Sequence, residues 1–119
     1  MKKMRILIVD DEAEIRNSLS EVLTEEGYTA GTAADASSAL IDLSRTPSDL
    51  VLLDIKLGND DGMVLLKQLK EEKPSLPVIM ITGHGTVSLA AEAFRIGAHD
   101  FLEKPLRLLQ VRTAVRNAL

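Results

Sequence analysis

The 119-residue chain contains no cysteine and no tryptophan, and its only aromatics are Phe94, Phe101 and Tyr28. Without cysteine there is no disulfide framework and no thiolate chemistry. With so few aromatic rings the core must be aliphatic, and stacking platforms for nucleobases or flavins are excluded. Positive charge is also short: the formal net charge is −4. That balance argues against binding to nucleic acid or to an anionic membrane by the bulk of the chain. No run of apolar residues approaches transmembrane length. Met1-Lys2-Lys3 resembles the charged start of an export signal, but the apolar run that follows is cut short at Asp10. A cytoplasmic domain is the expectation.

The chain does have enough apolar residues for a core, at 45%, and a length suited to one domain. Short apolar runs occur at Ile6–Val9, weakly at Tyr28–Ala33, and at Leu50–Leu53, Val78–Ile81 and Phe101–Leu102. Three of them are continuously aliphatic, as strands buried on both faces are. Between the runs, apolar residues fall at helical spacing. One stripe is Ile15, Leu19, Val22 and Leu23, stopped at Gly27; another is Ala36, Ala39, Leu40 and Leu43, stopped near Pro47. Leu65, Leu66 and Leu69 precede Pro74. Val87, Ala90, Ala91 and Phe94 precede Gly97. Leu108, Val111, Val115 and Ala118 make the last stripe. This alternation of strand and helix predicts an α/β fold with a parallel sheet, helices on both faces and right-handed crossovers.

In such sheets, sites form beyond the carboxyl ends of the strands. The first run, read as "ILIVDDE", ends in Asp10, Asp11 and Glu12. The third ends in Asp54, the fourth in Thr82, and the fifth in Glu103, Lys104 and Pro105. A parallel sheet would bring these groups to one rim. Asp10, Asp11 and Asp54 there would repel one another and force protons on, unless a cation relieved them. Oxygen donors favour Mg²⁺, and with Lys104 a divalent ion would bring the rim to neutrality. A pocket of this kind suits a phosphoryl group. Thr82 can donate a hydrogen bond to it, Lys104 can act as a point charge, and one carboxylate can be the nucleophile.

Four segments in order, "ILIVDDE", "LVLLDIKLGNDDG", "VIMITGHG" and "AHDFLEKPL", resemble the receiver domain of two-component response regulators, and the resemblance covers essentially the whole chain. "TGHGTVSLAAEAFRIGAHDFLEKPL" is most similar to receivers of the nitrogen-regulation type, which are usually joined to an ATPase and a helix-turn-helix DNA-binding domain. The resemblance implies a flavodoxin-like (βα)5 fold with strand order 2-1-3-4-5. It implies that residues 1–119 are the N-terminal receiver of a longer regulator, a switch that controls a transcriptional output and catalyses only its own phosphorylation and dephosphorylation. Asp54 would be the phosphoacceptor, and Mg²⁺ would be held by Asp10, Asp11, Asp54 and the backbone carbonyl of Lys56, with Asp11 more direct than Asp10. Thr82 and Phe101 would form the switch pair, Lys104 would pair with the phosphoryl group, and Lys104-Pro105 would be a cis peptide. A sensor histidine kinase would be the donor. A homodimer would form through the face made by the fourth helix, fifth strand and fifth helix.

Three positions depart from the family pattern. Gly58 stands where proline is frequent, which predicts a more flexible loop; Phe101 lacks the hydroxyl of the frequent tyrosine; Gly83 replaces a common alanine. Blander roles exist for the same residues: helix capping for Asp10 or Asp11, a strand-end turn for Asp54, solvent exposure for Asp60, Asp61 and His99, and a place near the third helix start for Asp61. His84 sits two residues past Thr82 and could affect water access. The rival functions are a phosphate-independent interaction module and an aspartyl-phosphate hydrolase. The latter usually carries Asp-x-Asp after its first strand, which is absent here.

Overall fold

The computed structural model describes residues 2–119. Five strands, β1 (Arg5–Val9), β2 (Thr29–Ala33), β3 (Leu50–Asp54), β4 (Val78–Thr82) and β5 (Asp100–Glu103), form one sheet in the order β2-β1-β3-β4-β5. Every pairing in that sheet is parallel. The connections are α1 (Ala13–Glu25), α2 (Ala36–Arg45), α3 (Gly62–Glu72) and α4 (Val87–Ile96), and α5 (Leu108–Ala118) follows β5. The expected strand order and helix count are both present.

The continuous aliphatic runs divide by alternation into two faces, because successive strand side chains point to opposite sides. Leu7, Val9, Val51, Leu53, Val78 and Met80 face one way and pack with Ala39 and Leu43 of α2, Leu65, Leu66 and Leu69 of α3, and Ala93 of α4. Ile6, Ile8, Leu50, Leu52, Ile79 and Ile81 face the other way and pack with Leu19 and Leu23 of α1 and with Val111, Ala114 and Val115 of α5. Burying one such aliphatic side chain contributes about 1.5–3 kcal/mol. The two weakest runs in the sequence, β2 and β5, are the two edges of the sheet. Their residues are mostly half-buried or exposed, so they need no unbroken aliphatic run.

Local signals set the helix ends. Asp35, Asp61 and Thr86 cap α2, α3 and α4 by accepting from the backbone N–H groups of Ser38, Met63 and Leu89 at 2.7, 2.8 and 3.0 Å. Gly97 ends α4 at φ +126°, a left-handed position that glycine takes without strain. At the amino end of the sheet, Arg5 reaches across Gly31 to grip Asp42 of α2 through both guanidinium nitrogens, at 2.8 and 3.0 Å. The bond between Lys104 and Pro105 is cis, as expected.

One element is not in the sequence reading. The expected flexible loop after Asp54 is a small antiparallel hairpin, with arms Lys56–Leu57 and Asp60–Asp61. Gly58 turns it at φ +62°, which proline cannot adopt, so this conformation itself excludes the residue frequent in the family. The hairpin feeds directly into Gly62, the first residue of α3. A Cβ at Gly62 would stand against the carbonyl oxygen of Asp54 and within 2.7 Å of Ile55 backbone atoms. Gly62→Ala must displace one of them and is expected to destabilise the fold by about 1–3 kcal/mol, as overpacking does. Urea unfolding checks this, and wild-type stability in that variant would show that the helix start does not press on Asp54.

Candidate functional site

Parallel pairing places the carboxyl ends of β1, β3, β4 and β5 along one edge. Asp10 follows β1 and is 1% exposed; Asp54 ends β3 and is 5% exposed. Because Val9 pairs with Leu53, the two carboxylates emerge side by side. Asp54 Oδ1 accepts from the Lys56 backbone N–H at 3.2 Å, and Asp10 Oδ1 accepts from that of Glu12 at 2.8 Å. The second oxygens face Lys104. Its Nζ donates to Asp54 Oδ2 at 2.9 Å and lies 3.1 Å from Asp10 Oδ2 and 3.4 Å from Glu12 Oε1. The contact with Asp10 is an ion pair without hydrogen-bond geometry, so Asp10 Oδ2 is buried with no donor.

Lys104 reaches this position because its own backbone N–H donates to the carbonyl of Thr82 at 2.7 Å, which seats the segment after β5 on the end of β4. Thr82 is 5% exposed, and its Oγ1 accepts from the His84 backbone N–H at 3.1 Å. The hydroxyl proton is therefore left to donate elsewhere. Phe101 is half-buried against the apolar cluster under α2, α3 and α4. Gly85 lies where β4 and β5 meet: a Cβ there would be 3.1 Å from both the Phe101 ring and the Thr82 methyl. Asp11 is exposed on the rim, and its carboxylate, with those of Asp10 and Glu12, forms a group whose oxygens lie within 4.8 Å of one another. Lys56 is exposed on the hairpin arm beside Asp54, and His84 and His99 are exposed as well.

The sequence-derived set is thus distributed in a definite way. Asp10, Asp54 and Lys104 are in direct contact, with Asp11, Thr82 and Lys56 around them. Three participants were not singled out. Glu12, the third acid of "ILIVDDE", touches Lys104. Arg16 on α1 donates to the carbonyl of Asp10 at 2.7 Å and so fixes the acidic turn; nothing in the sequence spacing marks it. Gly85, between Thr82 and Phe101, carries no side chain to mark it. Asp61, expected near the third helix start, caps α3, and Asp60 is exposed as expected but also accepts a hydrogen bond from the backbone N–H of Ala36.

The electrostatics follow from burial. Burial alone would lower the Lys104 pKa, but the hydrogen bond to Asp54 and the attraction of Asp54 and Asp10 outweigh it and hold the ammonium above the ordinary lysine range. Asp10 is pushed up, first by burial and then by the charge of Asp54, against the lowering effect of the Glu12 backbone N–H and of Lys104. One ammonium therefore does not fully satisfy these carboxylates. An oxygen-only donor set with an unpaired buried carboxylate oxygen fits a hard divalent cation such as Mg²⁺.

A flavodoxin-like sheet with a buried, lysine-bridged carboxylate pair at its carboxyl edge is an arrangement found in small regulatory modules. The chain belongs to the response regulator receiver domain family, whose pattern matches residues 6–116. It is similar to the nitrogen assimilation regulatory protein NtrX of Azorhizobium caulinodans, with 42% identity over 96% of this chain and 26% of that protein. It therefore spans about a quarter of the length of such relatives. Among solved structures, the receiver domain of NtrX from Brucella abortus matches with TM-score 0.91 and 43% identity, over 96% of this chain and 97% of that one. The beryllofluoride-activated NtrC4 receiver domain dimer matches with TM-score 0.91 and 38% identity, over 96% and 94%. No helix among the described residues is long and apolar enough to cross a membrane.

The raised Asp10 pKa gives a stability prediction. A carboxyl whose folded pKa lies above its unfolded value adds stability that is complete below the unfolded value, about 3.9. That stability is lost as the pH rises through the folded value. Above that folded value, an ionised Asp10 is carried at a cost. Asp10→Asn should raise the urea midpoint of the metal-free protein at pH 7, with the advantage shrinking as the pH falls toward 4. A lower midpoint at pH 7 would show that Lys104 already compensates the buried charge.

Proposed function

We propose that this chain is a magnesium-dependent phosphoacceptor switch in which Asp54 takes a phosphoryl group from the phosphohistidine of a sensor kinase. The observation that carries the reading is the position of Lys104, whose ammonium bridges Asp54 and Asp10 at the ends of two neighbouring strands. A carboxylate oxygen of Asp54 attacks the phosphorus, the P–N bond of the donor breaks, and the imidazole leaves with the bonding electrons. The product is an acyl phosphate on Asp54, bulkier and more negative than the carboxylate.

Each neighbour has a task set by its chemistry. Lys104 shifts from carboxylate to phosphoryl oxygen as the charge moves outward. Thr82 offers its free hydroxyl proton to another phosphoryl oxygen, and Arg16 keeps the Asp10 turn in place. Asp11, Asp54 and the Lys56 carbonyl, with Asp10 acting through water, would hold Mg²⁺, which would supply positive charge to the phosphoryl oxygens. Glu12, next to Asp11, adds to the negative field that attracts it.

The output runs through the other side of the rim. Movement of Thr82 toward the phosphoryl group opens space behind it, and the Phe101 ring turns into that space. The face of α4, β5 and α5 then repacks and biases a homodimer. Exposed Val87 and Phe94 on α4, and Leu108 and Leu109 on α5, supply apolar surface for such an interface. The similarity to NtrX and to a receiver dimer favours this arrangement, with the chain serving as the N-terminal receiver of a longer cytoplasmic transcriptional regulator.

Incubation with acetyl phosphate and Mg²⁺ should add one phosphoryl group to the wild type, read by intact mass. Asp54→Asn should add none, and chelation of Mg²⁺ should reduce wild-type labelling at least tenfold. Labelling of Asp54→Asn at the wild-type level would reject Asp54 as the acceptor.

A further inference from the structure

A backbone carbonyl, unlike a side chain, can be aimed at a metal only by the conformation of the chain that carries it. The Lys56 carbonyl belongs to the two-residue hairpin arm Lys56–Leu57. In place of the proline that often stiffens this segment, the turn holds Gly58, a residue with wide conformational freedom. Something else must fix the hairpin. Leu57 is one anchor, being 2% exposed beneath it. The capping of α3 by Asp61 is another. Asp60 supplies a third, directed sideways: its Oδ2 accepts from the backbone N–H of Ala36 at 3.1 Å, across 24 positions of sequence.

That N–H belongs to the first turn of α2, where backbone donors have no partner within the helix. Asp35, the cap of α2, serves Ser38 and not Ala36. A carboxylate at a helix amino terminus is also favoured by the helix dipole. The latch therefore ties the arm opposite Leu57 to a helix packed on the sheet. The same hairpin passes beside Asp11: a Cβ on Gly58 would lie 3.9 Å from Asp11 Oδ2. Hairpin position thus sets the distance between two groups assigned to the metal.

We propose that Asp60 is a positioning residue for magnesium, holding the Lys56 carbonyl in place through its hydrogen bond to Ala36. This rests on the magnesium-dependent reading above. Asp60 itself touches neither the metal nor the phosphoryl group; it acts through the hairpin.

The test is a Mg²⁺ titration of the ¹⁵N-labelled chain, followed by the amide shifts of Asp11, Lys56 and Leu57, together with hydrogen exchange at the Ala36 amide. Urea unfolding of each variant confirms that it is folded. Asp60→Ala should weaken Mg²⁺ binding by about three- to fivefold, the scale of one net hydrogen bond, and should speed exchange at Ala36. Asp60→Asn keeps an accepting oxygen and removes the charge, so it should stay within about twofold of wild type in both measurements. Wild-type affinity in Asp60→Ala would overturn the inference. So would equal weakening in Asp60→Asn, which would assign the effect to charge, or weakened binding with unchanged exchange at Ala36. A wild-type chain that shows no Mg²⁺-dependent shifts would remove the functional reading itself.

Discussion

A single ammonium group holds the rim of this protein together. Lys104 arrives from the edge strand, crosses the end of β4 and enters between the carboxylates that end β1 and β3. Buried carboxylates this close would otherwise repel each other or take up protons. The arrangement is tense by design: Asp10 keeps one buried oxygen without a donor, and its pKa is driven upward by burial. A site that is electrostatically incomplete has a standing affinity for whatever positive charge the solvent offers, and a lysine already engaged by carboxylates can be transferred to a new anion with little movement.

The rest of the fold serves this convergence. The parallel sheet makes every strand end at the same edge, and the two aliphatic layers keep that edge rigid. Glycines leave room where a side chain would press on its neighbours. Gly62 lets α3 begin directly against the Asp54 backbone, and Gly85 leaves the junction of Thr82 and Phe101 unfilled. Polar side chains then fasten the loops, with Arg16 on the Asp10 turn and Asp60 on the hairpin.

Much of this was legible in the sequence, for identifiable reasons. β1, β3 and β4 are buried on both faces, so each is an unbroken aliphatic run that only an interior parallel strand explains. β2 and β5 lie at the edges and carry a weaker signal. The rule that polar residues at strand ends share one rim brings Asp10, Asp54, Thr82 and Lys104 together from sequence alone; the roles of those residues are a separate question of chemistry. The hairpin after Asp54 was not legible, because arms of two residues have no periodicity and depend on one left-handed glycine. Arg16 and Asp60 were missed because their contacts depend on how α1 and α2 begin, which strand-end reasoning does not reach.

The close seating of Gly62 on Asp54, together with the Arg5 clamp at the opposite end of the sheet, divides the molecule into a stiff flank and a compliant one. On the stiff flank, α3 starts too near the Asp54 backbone to slide, and α2 is pinned at the amino end of the sheet by a two-pronged guanidinium. On the compliant flank, the Thr82 hydroxyl is held by a single turn bond and Phe101 is only half-covered. A displacement at Asp54 would therefore meet less resistance toward Thr82 and Phe101 than toward α3, a mechanical asymmetry set by the packing alone.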